Sequence, residues 1–345
     1  MNKAKNIDSE SASRLKSHRK HIPSVSALID GVVEGDKMLL ARALTLIESN
    51  KSEDRTGAKQ IVEHCLAKNT NSIRVGITGV PGVGKSTFIE ALGSAITATG
   101  KRVAVLAVDP SSSISKGSIL GDKTRMQNLA RDQNAFIRPS PSGDSLGGVA
   151  RKTRESILLC EAAGFDVILI ETVGVGQSET VVHSMVDFFL LLKLAGAGDD
   201  LQGIKRGIVE MADAIVINKA DGDNIKQADL ARVEFERALH MYPPKNSGWI
   251  AKALSCSAIK NEGIIEIWQM ITDFISQSKA NGHLEKNRME QNKNWFLQTV
   301  DNLLKTEFYR SPKTKAKLEK LLNKVESSKI SPFMAAEELF SAAKI

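Results

Sequence analysis

GVPGVGKST, residues 79–87, decides how the rest of this chain is read. It fits G-x-x-x-x-G-K-[ST] through Gly79, Gly84, Lys85 and Ser86. The run before it, IRVGIT (73–78), is apolar enough for a buried strand. The run after it (87–98) has helical spacing and ends at Gly100. Strand, glycine-rich loop and helix is the context this motif needs. Gly79, Gly82 and Gly84 let the backbone curl so that successive N–H groups of the loop, Val83 and Thr87 included, converge on phosphate oxygens. Lys85 then reaches the β and γ phosphates, and the Ser86 hydroxyl is placed to ligate Mg²⁺. The stretch implies a nucleoside triphosphate site.

Bulk properties narrow the setting. A chain of 345 residues, 42% hydrophobic, can bury one large core plus a smaller helical unit. The net charge is +7, from 47 basic and 40 acidic residues, with the excess in the first 21 residues and in 305–329. That balance is compatible with an acidic partner surface or weak nucleic-acid contact and establishes neither. Aromatics at 5% argue against stacking platforms for bases. Cys65, Cys160 and Cys256 lie far apart in apolar contexts, as small buried residues in a reducing compartment do. No apolar run reaches about 18 residues, so no spanning helix is expected. Residues 1–20 lack the apolar core of a secretory signal, and Asp8 and Glu10 argue against a transit peptide. The expected location is the cytoplasm.

Further along, RVAVLAV (102–108) reads as a strand ending in Asp109, where open parallel sheets place ligands. Asp122 suits a helix N-cap, or a role at the metal and γ-phosphate. FDVILI (165–170) is a buried strand that delivers Glu171, and TVGVGQ (172–177) follows with Gly174 and Gly176. An acid followed three residues later by glycine is what a γ-phosphate sensor requires. The acid orients Mg²⁺ or its water, and the glycine N–H meets the phosphate. Gln177 is a candidate for positioning the attacking water.

VDFFLLL (186–192) is another strand. A strand over 214–217 runs into Asn218, Lys219, Ala220 and Asp221. Asp221 can accept from both N1–H and the 2-amino group of guanine, and adenine has neither donor. Asn218 would bond the O6/N7 side, and the Lys219 stem would cover the purine plane. An unpaired buried carboxylate is costly, which favours GTP over ATP. After a last strand (249–256), Ser257 and Ala258 form a second base-side loop whose N–H groups would meet O6.

Helical patterns flank this core. Residues 25–48 read as two short helices or one bent near Gly31 and Gly35, and 57–67 as another. Past 281 the composition shifts to Lys, Glu and Leu, and Leu297, Val300, Leu304 and Phe308 share a stripe that is either core or a partner surface. The expected division is a tail and helical extension (1–68), a P-loop domain (69–280) and a helical appendix suited to dimerisation (281–345). The fold class is α/β: a P-loop NTPase with a mostly parallel central sheet and helical extensions.

The blocks GITGVPGVGKST, VLAVDPSS, LGDKTRM, FIRPSPSGDSLGGVARKTRE, ILIETVGVGQSE, GAGDDLQGIKRGI and NKAD together resemble the MeaB/ArgK family. These are GTPases associated with adenosylcobalamin-dependent acyl-CoA mutases and related to the human methylmalonic aciduria type A protein. The family has also been called a lysine/arginine/ornithine transport ATPase or kinase, for which the residues give no physical support. The resemblance covers roughly residues 25–275. It implies a dimeric G domain of the SIMIBI type, the class of nickel-insertion and signal-recognition GTPases. Carried over, Lys85 and Ser86 serve phosphate and Mg²⁺, and Asp109, Asp122 and Glu171 form the acidic shell of metal and water. Gly174 to Gln177 is the phosphate-sensing switch. Residues 199–205 form a further switch facing the mutase, with Lys205 a candidate bridging contact. The implied partners are Mg²⁺, GTP and GDP, a second copy of the chain, and a mutase, methylmalonyl-CoA mutase first. No membrane or specific nucleic acid is implied. One departure is Ala195, where the family usually has Pro, which loosens that loop's entry.

Other classes fare worse. A nickel metallochaperone wants a His- or Cys-rich store, and the six His here are not clustered. A small-molecule kinase on this fold is disfavoured by N-K-x-D beside the acid-x-x-Gly element. A nucleic-acid GTPase would bind with strong salt dependence, for which the dispersed charge gives little support. No residue has a claim to be a strong general base, so slow intrinsic hydrolysis raised by a partner is expected.

Overall fold

The structure is a computed structural model that describes residues 23–66, 68, 71–108, 126–139, 146–172, 178–196 and 206–342. It divides into two compact units: the chain up to Asn71 with Glu155–Phe165, and Ser72–Arg154 with Asp166 onward.

The first unit holds α1 (Val25–Val33), α2 (Lys37–Glu48) and α3 (Arg55–Leu66). Ser24 Oγ accepts from Ala27 N, and the Asp36 carboxylate accepts from Met38 N and Leu39 N, so both helices begin where a side chain satisfies open N–H groups. Of the two glycines expected to break this stretch, only Gly35, at φ 77°, does so. Gly31 lies inside α1, where an added Cβ would fall 2.6 Å from Leu39 Cβ. Its lack of a side chain serves close packing. Leu28, Val32, Leu40, Leu44, Ile47, Ile61 and Cys65 fill this unit's core at helical intervals.

The second unit is built on β1 (Ile73–Gly79), β2 (Val103–Val108), β3 (Ala135–Arg138), β4 (Val167–Thr172), β5 (Phe188–Leu194), β6 (Ala214–Asn218) and β7 (Lys252–Ser255). They form one sheet in the order β3-β2-β4-β1-β5-β6-β7, and every pairing is parallel. Among the described residues the helices of this part of the chain are α4 (Lys85–Thr97), α5 (Gln127–Arg131), α6 (Leu146–Ala162, shared between the units), α7 (Ser178–His183), α8 (Arg206–Met211), α9 (Ile225–His240) and α10 (Ile264–Ala280).

Because strand side chains alternate, the sheet has two apolar faces. Val75, Ile77, Leu169, Phe188 and Leu190 pack with Phe88 and Leu92 of α4 and with Ile267 and Ile271 of α10. On the other face, Leu191, Ile215 and Ile217 pack with Val209 of α8 and with Ala228, Phe235 and Leu239 of α9. Such double cover explains why the strands read as continuous apolar runs.

One device closes the amino edge of the sheet three times. Asp166, Asp187 and Asp213 each precede a strand. Each donates its own N–H to a carbonyl on the neighbouring strand (Arg102, Arg74 and Phe189). Each carboxylate then accepts the N–H of that same residue, at 2.7, 2.9 and 2.8 Å. β5 therefore starts at Phe188, two residues later than its apolar run suggests. β7 starts only at Lys252, since Trp249 is buried with its indole N–H donating to Asp213 O.

Three helices follow: α11 (His283–Arg310), α12 (Pro312–Glu326) and α13 (Pro332–Ala342). Arg288 of α11 grips Asp187 in a bidentate pair (2.8 and 2.6 Å) and donates to Ser72 O, while Gln291 Nε2 donates to Val186 O. The root of this appendix is thus fastened to the amino ends of β1 and β5. Further out, Leu321, Ala335 and Leu339 form a small core with Phe308, Leu318 and Val325. Phe308 of the expected stripe is core, whereas Leu297 and Leu304 are exposed. Among the described residues no helix is long and apolar enough to cross a membrane.

Candidate nucleotide site

The parallel register brings Gly79, Thr172, Leu194 and Asn218 to one edge of the sheet. The site is assembled there. Thr172 Oγ1 donates to Thr78 Oγ1 at 2.8 Å, tying the ends of β4 and β1. From Gly79 the loop runs over to α4. Gly84, at φ 94°, must be glycine twice over: the left-handed backbone favours it, and a Cβ would lie 2.8 Å from Asn218 Nδ2. Gly84 caps α4 with no side-chain hydrogen bond, so the first N–H groups of a 13-residue helix stay available to an anion.

Lys85 is buried on the first turn of α4, and its ammonium donates to Gly79 O (2.8 Å) and Val80 O (3.2 Å). Burial lowers its pKa below the ordinary lysine value, while the charges of Glu171 and Glu179 pull it back up. Ser86 Oγ donates to Glu171 Oε1 at 3.2 Å, both groups being buried. A hydroxyl and a carboxylate side by side next to a phosphate cradle make a hard-oxygen donor set of the kind Mg²⁺ takes. The residues present therefore fit the ion, which Ser86 and Glu171 would hold and which would supply charge to the phosphates. Thr87 is exposed on the same turn. Among the described residues there is no cluster of three His, Cys, Asp or Glu side chains. Asp109, Asp122, Gly174 and Gln177, like 199–205 with Lys205, lie outside the described residues.

The base side is braced against the phosphate side. Asn218 Nδ2 donates to Val83 O at 2.9 Å, and Lys219, at φ 60°, donates from Nζ to Gly82 O at 2.9 Å. Ala258 N reaches Asn218 Oδ1 at 3.3 Å, and Ser257 N bonds Glu262 O. Asn218 thus ties the base loop to the phosphate loop through both ends of its amide. Asp221 Oδ2 accepts from Ser257 Oγ at 2.5 Å, which fixes the carboxylate at the loop's rim.

Two features escaped the sequence reading. Glu179, buried on α7, joins Glu171 in the field of Lys85. A signal was available: Glu179 shares a helical face with the fully buried Val182, three residues on. The Asp-to-neighbour device at the amino edge was missed as well, although each Asp stands between apolar residues at a strand start.

Comparison with known proteins agrees with this geometry. The family model described as "Methylmalonyl Co-A mutase-associated GTPase MeaB" matches residues 40–313. The chain is 50% identical to GTPase ArgK of Escherichia coli over 272 residues, 79% of this chain and 82% of that one. It is 45% identical to the mitochondrial methylmalonic aciduria type A homolog of Mus musculus over 330 residues, 93% and 80% of the two chains. Among solved structures it resembles a LAO/AO transport system kinase with a TM-score of 0.74 at 38% identity, covering 93% of this chain and 98% of the other. A complete phosphate loop, a hydroxyl–carboxylate pair for Mg²⁺ and an Asp-bearing base loop stand on the matching SIMIBI-type fold. The chain is a Mg²⁺-dependent GTP hydrolase and belongs to the MeaB family of GTPases, which chaperone adenosylcobalamin-dependent acyl-CoA mutases.

Proposed function

We propose that the client of this GTPase is methylmalonyl-CoA mutase, whose cofactor loading and protection it gates through GTP binding and hydrolysis. The observation that carries the reading is the braced site, in which Asn218 and Lys219 of the base loop hold the carbonyls of Val83 and Gly82 in the phosphate loop. A site in which base recognition and phosphate cradle are one rigid body suits a switch that reports nucleotide state. In this reading Asp109 and Asp122 complete the acidic shell begun by Glu171. Gly174 senses the γ-phosphate, Gln177 positions water, and residues 199–205 face the client. Asp221 reads guanine. The described residues offer Lys85 and the α4 N-terminus to stabilise charge but show no strong base, so turnover is slow until the client completes the site.

The same proposal makes the protein a dimer in the cytoplasm. Met289, Phe296 and Leu303 of α11 are exposed, on a stripe roughly a third of a turn round the helix from Arg288 and Gln291. A second copy of the chain covers such a face better than water does. The buried free thiols suit a reducing compartment.

The test is GTP hydrolysis by the purified protein, with ATP as control, alone and with methylmalonyl-CoA mutase from the same organism. Slow GTP turnover, little ATP turnover and acceleration of several-fold or more by the mutase are expected. Unchanged turnover with that mutase, in protein that still binds GTP, removes the client and leaves the GTPase. Light scattering on wild type and Phe296→Asp checks the dimer, which the substitution is expected to dissociate.

A further inference from the structure

Arg154, in the middle of α6, is a buried cation with no counter-charge among the described residues. Its Nη1 donates to Gln298 Oε1 of α11 at 2.8 Å. Its Nη2 donates to Ser184 Oγ at 2.7 Å and lies 3.5 Å from Ser184 O. Nε has no hydrogen-bond partner among the described residues. Ser184 Oγ in turn donates to Val181 O, in the last turn of α7. One planar guanidinium thus joins the end of α7 to the middle of α11.

A buried ion held only by neutral oxygens is a poor way to add stability, because an apolar side chain of similar length would avoid the desolvation. Its position suits transmission. α7 begins at Ser178, directly after the acid-x-x-Gly stretch 171–177, and ends one residue before Ser184. Six residues of helix make a lever of roughly 9 Å. On α11, Gln298 follows Gln291 by seven residues, two helical turns, and shares the face that carries Arg288. Arg288 and Gln291 fasten that face to fixed strand ends, whereas Arg154 fastens it to the helix behind the phosphate-sensing stretch.

We infer that Arg154 is a positioning residue that couples γ-phosphate occupancy to the α11 appendix through Ser184 and Gln298. This rests on the reading above that residues 174–177 sense the γ-phosphate. A shift of α7 on GTP binding pulls on one arm of the fork, and the other arm carries it to α11. Because coupling is reciprocal, whatever docks on α11 biases the nucleotide site in turn.

The chain contains three tryptophans, of which Trp295 lies three residues before Gln298 on α11. Full-length protein labelled with 5-fluorotryptophan reads the coupling directly by ¹⁹F NMR, with Trp295 assigned by Trp295→Phe. The Trp295 signal is expected to move between the GDP form and the form with a non-hydrolysable GTP analogue. In Arg154→Met and in Gln298→Leu that movement is expected to fall by half or more, with Arg154→Lys retaining part of it. Arg154→Met is also expected to change kcat several-fold at unaltered KM for GTP, since Arg154 touches no nucleotide-site residue. Gln298 is exposed, so its variant carries the test even if Arg154→Met does not fold. If nucleotide binds but Trp295 stays still in the wild type, or moves equally in both variants, the coupling is wrong. If no guanine nucleotide binds at all, the GTPase reading itself fails.

Discussion

The two edges of the sheet carry the same residue types and use them in opposite ways. At the amino edge, Asp166, Asp187 and Asp213 each cap the N–H of a neighbouring strand, and Arg288 and Lys245 pair with the latter two. At the carboxyl edge, Lys85 sits among backbone carbonyls and is held by burial below its ordinary pKa, while Glu171 meets a hydroxyl. Carboxylates bonded to backbone and paired with cations make a floor, and a desolvated ammonium beside open helix N–H groups makes a site. Position along the strand, more than residue type, separates structural from functional carboxylates here.

Removing Lys85 should show the largest effect, and in two directions. Lys85→Met is expected to abolish GTP turnover, a loss of at least about 10³-fold, since the ammonium meets the phosphates where charge develops. Stability without nucleotide should hold or rise near pH 7. With a folded pKa below the unfolded value, the charged form costs folding free energy at low pH. That cost is relieved as pH rises through the lowered pKa towards the ordinary lysine value. Melting temperatures of both proteins from pH 7 to 10 check the sign. The wild type should gain on Lys85→Met as pH climbs, and a parallel pair of curves would contradict the burial argument.

Asp221→Asn tests the base loop. An amide there can donate to the 2-oxo group of xanthine but loses one acceptor for guanine. GTP turnover should fall by about 10³-fold or more, with XTP turnover partly replacing it. Equal losses for both nucleotides would mean that Asp221 only anchors Ser257.

At the opposite edge, substitution should affect stability and spare chemistry. Asp187→Ala removes the buried carboxylate that pairs with Arg288 and accepts Arg74 N, costing about 3–5 kcal/mol. Asp166→Ala, at an exposed position, should cost only about 0.5–1.5 kcal/mol. GTP turnover per folded molecule should be unchanged in both. A drop in kcat for Asp166→Ala would erase the distinction between the edges.

Sequence legibility follows the same division. The phosphate loop could be read because glycine spacing, Lys and Ser fall within nine consecutive residues whose chemistry is local. The buried strands could be read because double cover leaves unbroken apolar runs such as FDVILI and VDFFLLL. What stayed hidden depends on distance in space. Arg288 meets Asp187 across 101 residues, and Arg154 meets Gln298 across 144. Nothing in the chain order says that Val83 O lies 2.9 Å from the Asn218 amide. The apolar flanks of Asp166, Asp187 and Asp213 concealed them as strand interior.

The smallest effect discriminates most finely between the nucleotide edge and the rest of the molecule. Burial pushes the Cys256 thiol up to about 12 and that of Cys65 to about 11, from 9.0. At pH 8 the thiolate, which is the reactive form, is then scarcer than in the unfolded chain by roughly 10³-fold and 10²-fold. Native protein should therefore react with iodoacetamide far more slowly than denatured protein at both positions, by peptide mapping. Saturating GDP should slow Cys256 further and leave Cys65 alone. Cys256 donates its N–H to Ile217 O, its carbonyl accepts from Ala220 N and its sulfur lies 3.5 Å from Asn218 Oδ1, so it opens only when the base loop does. A nucleotide that stabilises that loop lowers the population of the open state by mass action. If GDP protects both cysteines equally, the protection is global stabilisation. If it protects neither, the base loop does not close on nucleotide, and the brace through Asn218 is scaffolding alone.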